Sequence, residues 1–488
     1  MEPVTLEYLL KFDEEFKKLD KNTQLRIRRE NKNLFNVFKD DLNDFDIEFD
    51  ETEKCWNVTG YYGRSEEVIF PDSYEGDPFK TIRAEVSPYN KRIIRVTIPE
   101  DYTSIGKAAF KNCAGLAEIK LPESLTSIGE WAFCDCAGLT DIQLPENLTS
   151  IEDSAFCGCK RLTKVKLPEG ITAIGEWVFY DCAGLMDIQL PESLTSIGDS
   201  AFYGCTGLIN IKFPESLISI EESAFEDCTE LTEIKLPESI TSIGERAFNG
   251  CTGLTNIKLP ENLISIGMNA FEFCTKLTEI TVDKNNPVFC SVDGVMFDKA
   301  MTTLIMFPAG KKGKYSIPDG IIRICSGAFN SCEKLTGISF PQSLLYIDSF
   351  RFDCEQLTEI TVSELNSYYC SVEGVLFDKG MCTLMEYPIN KSQINYAVPD
   401  GVKRIDRYAF NNCKRLVNIV LPESLEFIGD YAFSGCEELK AVTLPMNLKY
   451  IGERVFKSCP NLKTITLSRK TRIGHRAFEG FGQFIYRD

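Results

Sequence analysis

Cysteine is the residue whose number and spacing in this chain could do chemistry: there are 20 in 488 residues. Two C-x-C pairs, Cys134 and Cys136 in "CDC" and Cys157 and Cys159 in "CGC", stand 23 residues apart. Four thiolates converging on one point would hold zinc tetrahedrally. Thirteen cysteines, however, recur at one fixed place in a longer phrase: Cys113, Cys136, Cys159, Cys182, Cys205, Cys228, Cys251, Cys274, Cys332, Cys354, Cys413, Cys436 and Cys459. One thiol per repeat packs as a small hydrophobe. Equivalent side chains on stacked repeats point in parallel, a poor start for the near-perpendicular torsion of a disulfide. Cys136 and Cys159 belong to this inward ladder, whereas Cys134 and Cys157 should face elsewhere. The sequence therefore predicts buried free thiols, with no metal and no cofactor.

Other catalytic chemistry has few residues to work with. The one histidine, His475, lies in the closing repeat, so a Ser/His/Asp or Cys/His mechanism would have to use it. Carboxylates recur with the repeat, as at Glu123, Glu146, Glu192, Glu215, Glu238 and Glu261. That recurrence spreads them along an edge and gathers no pair in a cleft. No phosphate-cradling or dinucleotide motif is present. No catalytic residue is assigned.

Charge narrows the partners. A formal net charge of −19 disfavours nucleic acid and anionic membrane surfaces. No run of 18 apolar residues occurs, so no membrane insertion is expected. The start, "MEPVTLEYLLKFDEEFKK", lacks the basic and apolar regions of a signal peptide. The expectation is a cytoplasmic protein, or a surface or secreted one whose export signal has been removed.

The elements that must position these residues follow from the phrase itself. The phenylalanine before the cysteine falls at Phe110, Phe133, Phe156, Phe179, Phe202, Phe225, Phe248 and Phe271, always 23 apart. It returns at Phe329, Phe352, Phe410, Phe433, Phe456 and Phe478, with two long steps of 58, or 23 plus 35. In "LTDIQLP", Leu139, Ile142 and Leu144 can point inward while Asp141 and Gln143 point outward, the alternation of a half-buried strand. Pro145 marks its end. "LTSI" supplies a second short strand, and "SAFCGC" turns the corner with Phe156 and Cys159 inside. A single unit cannot close a core, but stacked units can. At about 4.8 Å per strand, the Phe-bearing units would make a curved rod on the order of 65 Å long. The structural set is Phe133, Phe156, Phe179, Phe202, Phe225 and Phe248 with Cys136, Cys159, Cys182, Cys205, Cys228 and Cys251.

The pattern L-P-x-S-L-T-S-I-G-x-x-A-F-x-x-C-x-x-L-T-x-I over about residues 56–481 resembles the BspA-like leucine-rich repeat family. That resemblance implies a right-handed, β-rich (α+β) leucine-rich-repeat solenoid whose x-I-x-L strands line a concave face. It also implies adhesion or binding of host proteins at a cell surface.

The chain divides by phrase. Residues 1–54 carry apolar residues at helical spacing (Leu6, Leu9, Leu10, Phe12, Phe16; Leu34, Phe35, Phe38, Leu42) and are expected to form a helical cap or docking module. Residues 55–90 read as a degenerate first repeat, 91–282 as regular repeats, 318–362 as further repeats and 399–488 as repeats with an aromatic closing tail in which Phe481 takes the cysteine position. Residues 283–317 and 363–398 are inserts that copy each other, with Asp293-Gly294 and Glu373-Gly374 as two-residue hairpin signals. They are expected to be small strand meanders, either wide rungs or bumps at the rim.

Two outward columns are left on the x-I-x-L strands. One runs Glu118, Asp141, Lys164, Asp187, Asn210, Glu233, Asn256. The other runs Lys120, Gln143, Lys166, Gln189, Lys212, Lys235, Lys258. Beyond the first insert the columns turn small and nearly uncharged (Gly337, Glu359, Asn418, Ala441, Thr464; Ser339, Thr361, Val420, Thr443, Thr466). Such charges keep an exposed sheet soluble, and they also form a wall on which a protein or glycan partner could lie. A non-enzymatic recognition protein is the expectation. The alternative is a structural scaffold that self-assembles through its N-terminus, and an enzyme would need a site outside the repeats.

Overall fold

The computed structural model of the chain describes residues 19, 22–23, 44–74, 76–83, 90–348, 352, 354–479 and, for the backbone, 484–487. It divides into two compact units, one made of residues up to 248 together with 265–270, the other of 249–264 and 271 onward.

In the first unit each 23-residue phrase makes one rung with two strands. The Ser-Ile dipeptides pair in parallel and in register: Ser104–Ile105, Ser127–Ile128 and Ser150–Ile151, then Ala173–Ile174 through Ser196–Ile197, Ser219–Ile220 and Ser242–Ile243. The x-I-x tripeptides form a second parallel ladder, as in Arg95–Thr97 with Glu118–Lys120, Lys164–Lys166 with Asp187–Gln189, and Asn210–Lys212 with Glu233–Lys235. From Glu118–Lys120 onward, every central Ile or Val of these tripeptides is buried between two exposed neighbours. Where a glycine follows Ser-Ile, the neighbouring rung lies close against it. A Cβ on Gly244 would lie 2.5 Å from the Glu221 carbonyl carbon of the preceding rung.

At the phenylalanine corner the backbone alternates. Trp131, Phe133 and Asp135 donate their N–H groups to Asp153, Ala155 and Cys157 of the next rung at 3.1, 2.8 and 2.6 Å. Ala132, Cys134 and Cys136 instead donate three residues back within their own rung. This alternation places two residues per rung at positive φ. One column holds Asn112, Asp135, Gly158, Asp181, Gly204 and Asp227, residue types that tolerate the left-handed region. The other holds Trp131, Ser154, Trp177, Ser200, Ser223 and Arg246, at φ between 51° and 58°. Inside the corner the rings from Phe110 to Phe248 stack, with centroids 5.1 to 5.6 Å apart and planes within 10°.

The start of the first unit departs from the expected helical cap. The apolar residues that suggested helices, Leu6 to Leu42, lie outside the described residues. Within 1–54, Phe45–Asp50 is a strand, paired antiparallel with Cys55–Tyr61. The hairpin then joins the Ser-Ile ladder in parallel through Asp77–Ile82, with Ile82 opposite Ile105. Helical spacing missed it because "FDIEFD" alternates with period two, burying Phe45, Ile47 and Phe49. The side chain of Asn22 acts as one more strand partner for Phe49, accepting its N–H at 2.7 Å and donating to its carbonyl at 2.9 Å. The degenerate first repeat is a true rung: Val68 pairs with Val96, and Phe70 meets Phe110 edge-on at 5.9 Å.

In the second unit the inserts are wide rungs. Phe289–Val292 and Val295–Asp298 form a hairpin through Asp293-Gly294, both at positive φ, as a type I′ turn demands. The second insert repeats it with Tyr369–Val372, Val375–Asp378 and Glu373-Gly374. A third strand then returns to the stack, setting Leu304 beside Ile324 and Leu384 beside Ile405. Phe307 and Tyr387 take the corner phenylalanine's place against Phe329 and Phe410. The cysteine and leucine that should follow are missing, and Tyr315 and Tyr396 fill that space, each 4.9 Å from its own corner ring. Asn286 and Asn366, both buried, bridge each insert to the rung before it. Asn286 donates to the carbonyls of Pro260 and Leu263 and accepts the N–H groups of Val288 and Phe289, all at 2.8–2.9 Å. Asn366 makes the same four bonds. At the far end Phe484–Arg487 pairs in parallel with Thr464–Ser468, while Phe481 lies outside the described residues.

Candidate functional site

All twenty cysteines are free thiols. The ladder members Cys136, Cys159, Cys182, Cys205 and Cys228 are fully buried, and each donates its S–H to the preceding rung's phenylalanine carbonyl at 3.1–3.2 Å. Burial raises their pKa well above the ordinary thiol value. Cys134 and Cys157 lie off the ladder; Cys134 donates its S–H to Asp135 Oδ2 at 3.7 Å, and the neighbouring Cys157 thiol together with burial pushes the Cys134 pKa up. The four sulfurs thus split between the core and the outer corner. Among the described residues no group of three or more His, Cys, Asp or Glu is arranged to hold a metal ion. His475 is exposed. No helix among the described residues is long and apolar enough to cross a membrane.

The predicted outward columns are where the alternation put them. In the first unit Glu118, Lys120, Asp141, Gln143, Lys164 and Lys166 are exposed. So are Asp187, Gln189, Asn210, Lys212, Glu233 and Lys235. In the second unit Asn256 and Lys258 are exposed as well. The charges are not equivalent, a distinction that sequence could not make. Arg95 meets Glu118 at 3.3 Å, Lys164 meets Asp187 at 3.2 Å, and Lys166 meets Glu146 at 2.6 Å. In the second unit Lys258 lies 3.6 Å from Asp283. Lys212 and Lys235, by contrast, sit directly opposite each other on neighbouring strands and make no ion pair among the described residues. Like charges so placed repel. Both line a hollow of about 210 Å³ floored by Ile211, Phe213, Leu236 and Pro237, with Glu215 and Glu233 also on its wall. Exposed surface salt bridges contribute only about 0–1 kcal/mol, so the paired columns mainly keep the sheet soluble.

On the second unit's outer ladder the contacts are short and polar. Ser339 and Thr361 share a hydrogen bond at 2.7 Å, and Asn418 donates to Asn395 at 2.6 Å.

In-register rungs, a corner ring stack and a one-per-rung thiol ladder define a β-solenoid of leucine-rich repeats. A family model described as a BspA type leucine-rich repeat region in 6 copies matches residues 80–208, 178–292, 310–377 and 386–485. The chain belongs to that family, a repeat scaffold. It is also similar to a leucine-rich cell surface protein from Faecalibacterium prausnitzii, with 22% identity over 92% of this chain and 94% of that one and a TM-score of 0.42. A leucine-rich repeat protein from Bacteroides ovatus shares 22% identity over 91% and 98% of the two chains, with a TM-score of 0.46. The leucine-rich repeat protein of T. pallidum is 28% identical over 43% of this chain and 88% of its own, with a TM-score of 0.36. Comparison with curated proteins found no match.

Proposed function

We propose that this chain is a non-enzymatic recognition protein that holds a protein or glycan partner against the outward face of its x-I-x ladder. The observation that carries this reading is the Lys212–Lys235 pair: two lysines at facing strand positions, neither in an ion pair among the described residues, above an apolar floor, with Glu215 and Glu233 on the same rim. An acidic group on the partner would relieve their repulsion, and the floor would bury an apolar neighbour of that group. Membership of the BspA type family supports interaction or adhesion as the general role.

The test is binding of the full chain to peptide and glycan arrays graded from acidic to basic, at about 0.15 M salt. Acidic ligands are expected to bind, and the double change Lys212→Glu, Lys235→Glu to abolish it. Lys166→Glu should lose less, since Glu146 already holds that amine. Retention by the double variant, or a preference for basic ligands, would overturn the proposal.

A further inference from the structure

The inserts do more than widen the stack. In an ordinary rung the corner continues from phenylalanine through x-x-C-x-x-L, but here "FPAGK" (307–311) and "YPINK" (387–391) turn tightly instead. Lys311 N–H bonds to Pro308 O and Lys391 N–H to Pro388 O, both at 3.0 Å. Gly310 N–H and Asn390 N–H fold back onto Leu277 O and Leu357 O, at 2.7 and 2.9 Å. Each insert rung therefore omits its outer corner and leaves a notch between the rungs on either side.

The first notch is laced shut: Asn330 donates to Glu272 at 2.9 Å, and Lys334 to Thr275 O at 2.9 Å. The residues equivalent to Asn330 and Lys334 at the second notch are Asn411 and Arg415. Asn411 donates instead to Ser434 O at 3.3 Å, and Arg415 makes no such bond among the described residues. A cavity of about 470 Å³ remains, reaching from Phe273 and Ser331 to Asn412 and Arg415. That volume suits a small ligand.

Its wall holds a polar atom that calls for a partner. Ser331 is 4% exposed, and its Oγ, fully buried, has no hydrogen-bond partner. A buried hydroxyl left bare is costly. Around it stand the amides of Gln356, Asn390 and Asn412, and two carboxylates, Glu333 and Glu355, balanced by two cations, Lys414 and Arg415. The ring of Phe273, 49% exposed at φ +59°, supplies a flat apolar face, and Ile389 adds a second apolar residue to the wall.

We infer that this notch is a binding site for a neutral saccharide of one or two rings. The charges on its wall cancel, two carboxylates against two cations, so a neutral ligand fits. Amides donate to and accept from vicinal hydroxyls, the carboxylates accept from them, the two cations donate to them, Ser331 Oγ gains its missing partner, and the sugar's C–H face, slightly positive, lies on the electron-rich face of Phe273. The site lies on the corner side of the rungs and is separate from the Lys212–Lys235 hollow.

The experiment is saturation-transfer NMR on the full chain with glucose, galactose, mannose, N-acetylglucosamine, lactose and maltose, followed by calorimetry on any binder. At least one is expected to bind with transfer centred on its ring C–H protons. Phe273→Asn, a residue type that the same column already carries at positive φ, should weaken binding at least tenfold, as should Arg415→Ala. Lys212→Glu with Lys235→Glu should leave it unchanged. The inference is overturned if none of the six binds, if only acidic sugars such as sialic acid bind, or if affinity survives both notch variants.

Discussion

Replacing Asn286 by leucine tests whether the inserts are tied into the stack by one buried amide. The side chain is completely buried and makes four hydrogen bonds at 2.8–2.9 Å. Leucine is similar in size but can make none of them. Pro260 O keeps a long bond from Leu263 N–H at 3.4 Å. The Leu263 carbonyl and the N–H groups of Val288 and Phe289 lose their amide partner, each at about 1–1.5 kcal/mol, for a total of about 4 kcal/mol. Asn286→Asp keeps the two accepted bonds but sets a carboxylate against two carbonyls, and should be comparably damaging at neutral pH. Because contacts in a repeat stack are between neighbours, the loss should stay local. The assay is hydrogen exchange followed by mass spectrometry. The amides of Val288 and Phe289 are expected to exchange about 1,000-fold faster, the equivalent of about 4 kcal/mol, while peptides covering 110–136 keep their protection. A change below tenfold at 288–289 would refute the reasoning.

Other outcomes follow from the core and the corner. With Ellman's reagent at pH 8 the native chain should titrate Cys382 first, because it is exposed while the ladder thiols are buried; rapid release of many equivalents would contradict the packing. Burial holds the Cys459 thiol up to about 11 and that of Cys274 up to about 12. These thiols ionise in the unfolded chain near the ordinary 8.5, so the folded state binds protons that the unfolded state has released. Their stabilisation is whole below about pH 8.5 and lost as pH rises through 11 to 12. The urea midpoint should hold from pH 6 to 8 and fall beyond pH 9. Cys136→Ala removes the 3.1 Å bond to Phe110 O and a little volume, and should lower stability by about 1–2 kcal/mol, with Cys136→Ser costing less. Gly244→Ala forces a Cβ to within 2.5 Å of Glu221 and is expected to cost about 2 kcal/mol, readable as a shift in the same midpoint.

Much of the fold was legible because each buried letter recurs every 23 residues, and recurrence lifts Phe, Cys and Ile above chance. The hairpin turns were legible too, since Asp-Gly and Glu-Gly between alternating runs have few other uses. What escaped was carried by contacts between distant residues. Asn286 in "DKNNPV" looks like an ordinary turn residue, yet its partners lie 23 and 26 residues earlier. Its only sequence signal was that Asn366 holds the same place in the second copy. The unequal pairing of Lys166 and Lys212 depends on which acid each long side chain reaches, which column order does not reveal. The notch arises from an omission, a corner without its cysteine and leucine, and a missing residue leaves no letter to read. The strand at Phe45–Asp50 was overlooked because the leucine and phenylalanine spacing upstream suggested helices for the whole segment.

The column of Trp131, Ser154, Trp177, Ser200, Ser223 and Arg246 has a consequence for how such a chain changes over generations. Each of these residues is fixed by the amide it gives to the following rung, a contact that does not involve what stands beyond its Cα. Indole, hydroxyl and guanidinium already stand there on one and the same backbone frame. Architecture and specificity are inherited separately at that edge, so new surfaces can be tried without first renegotiating the fold.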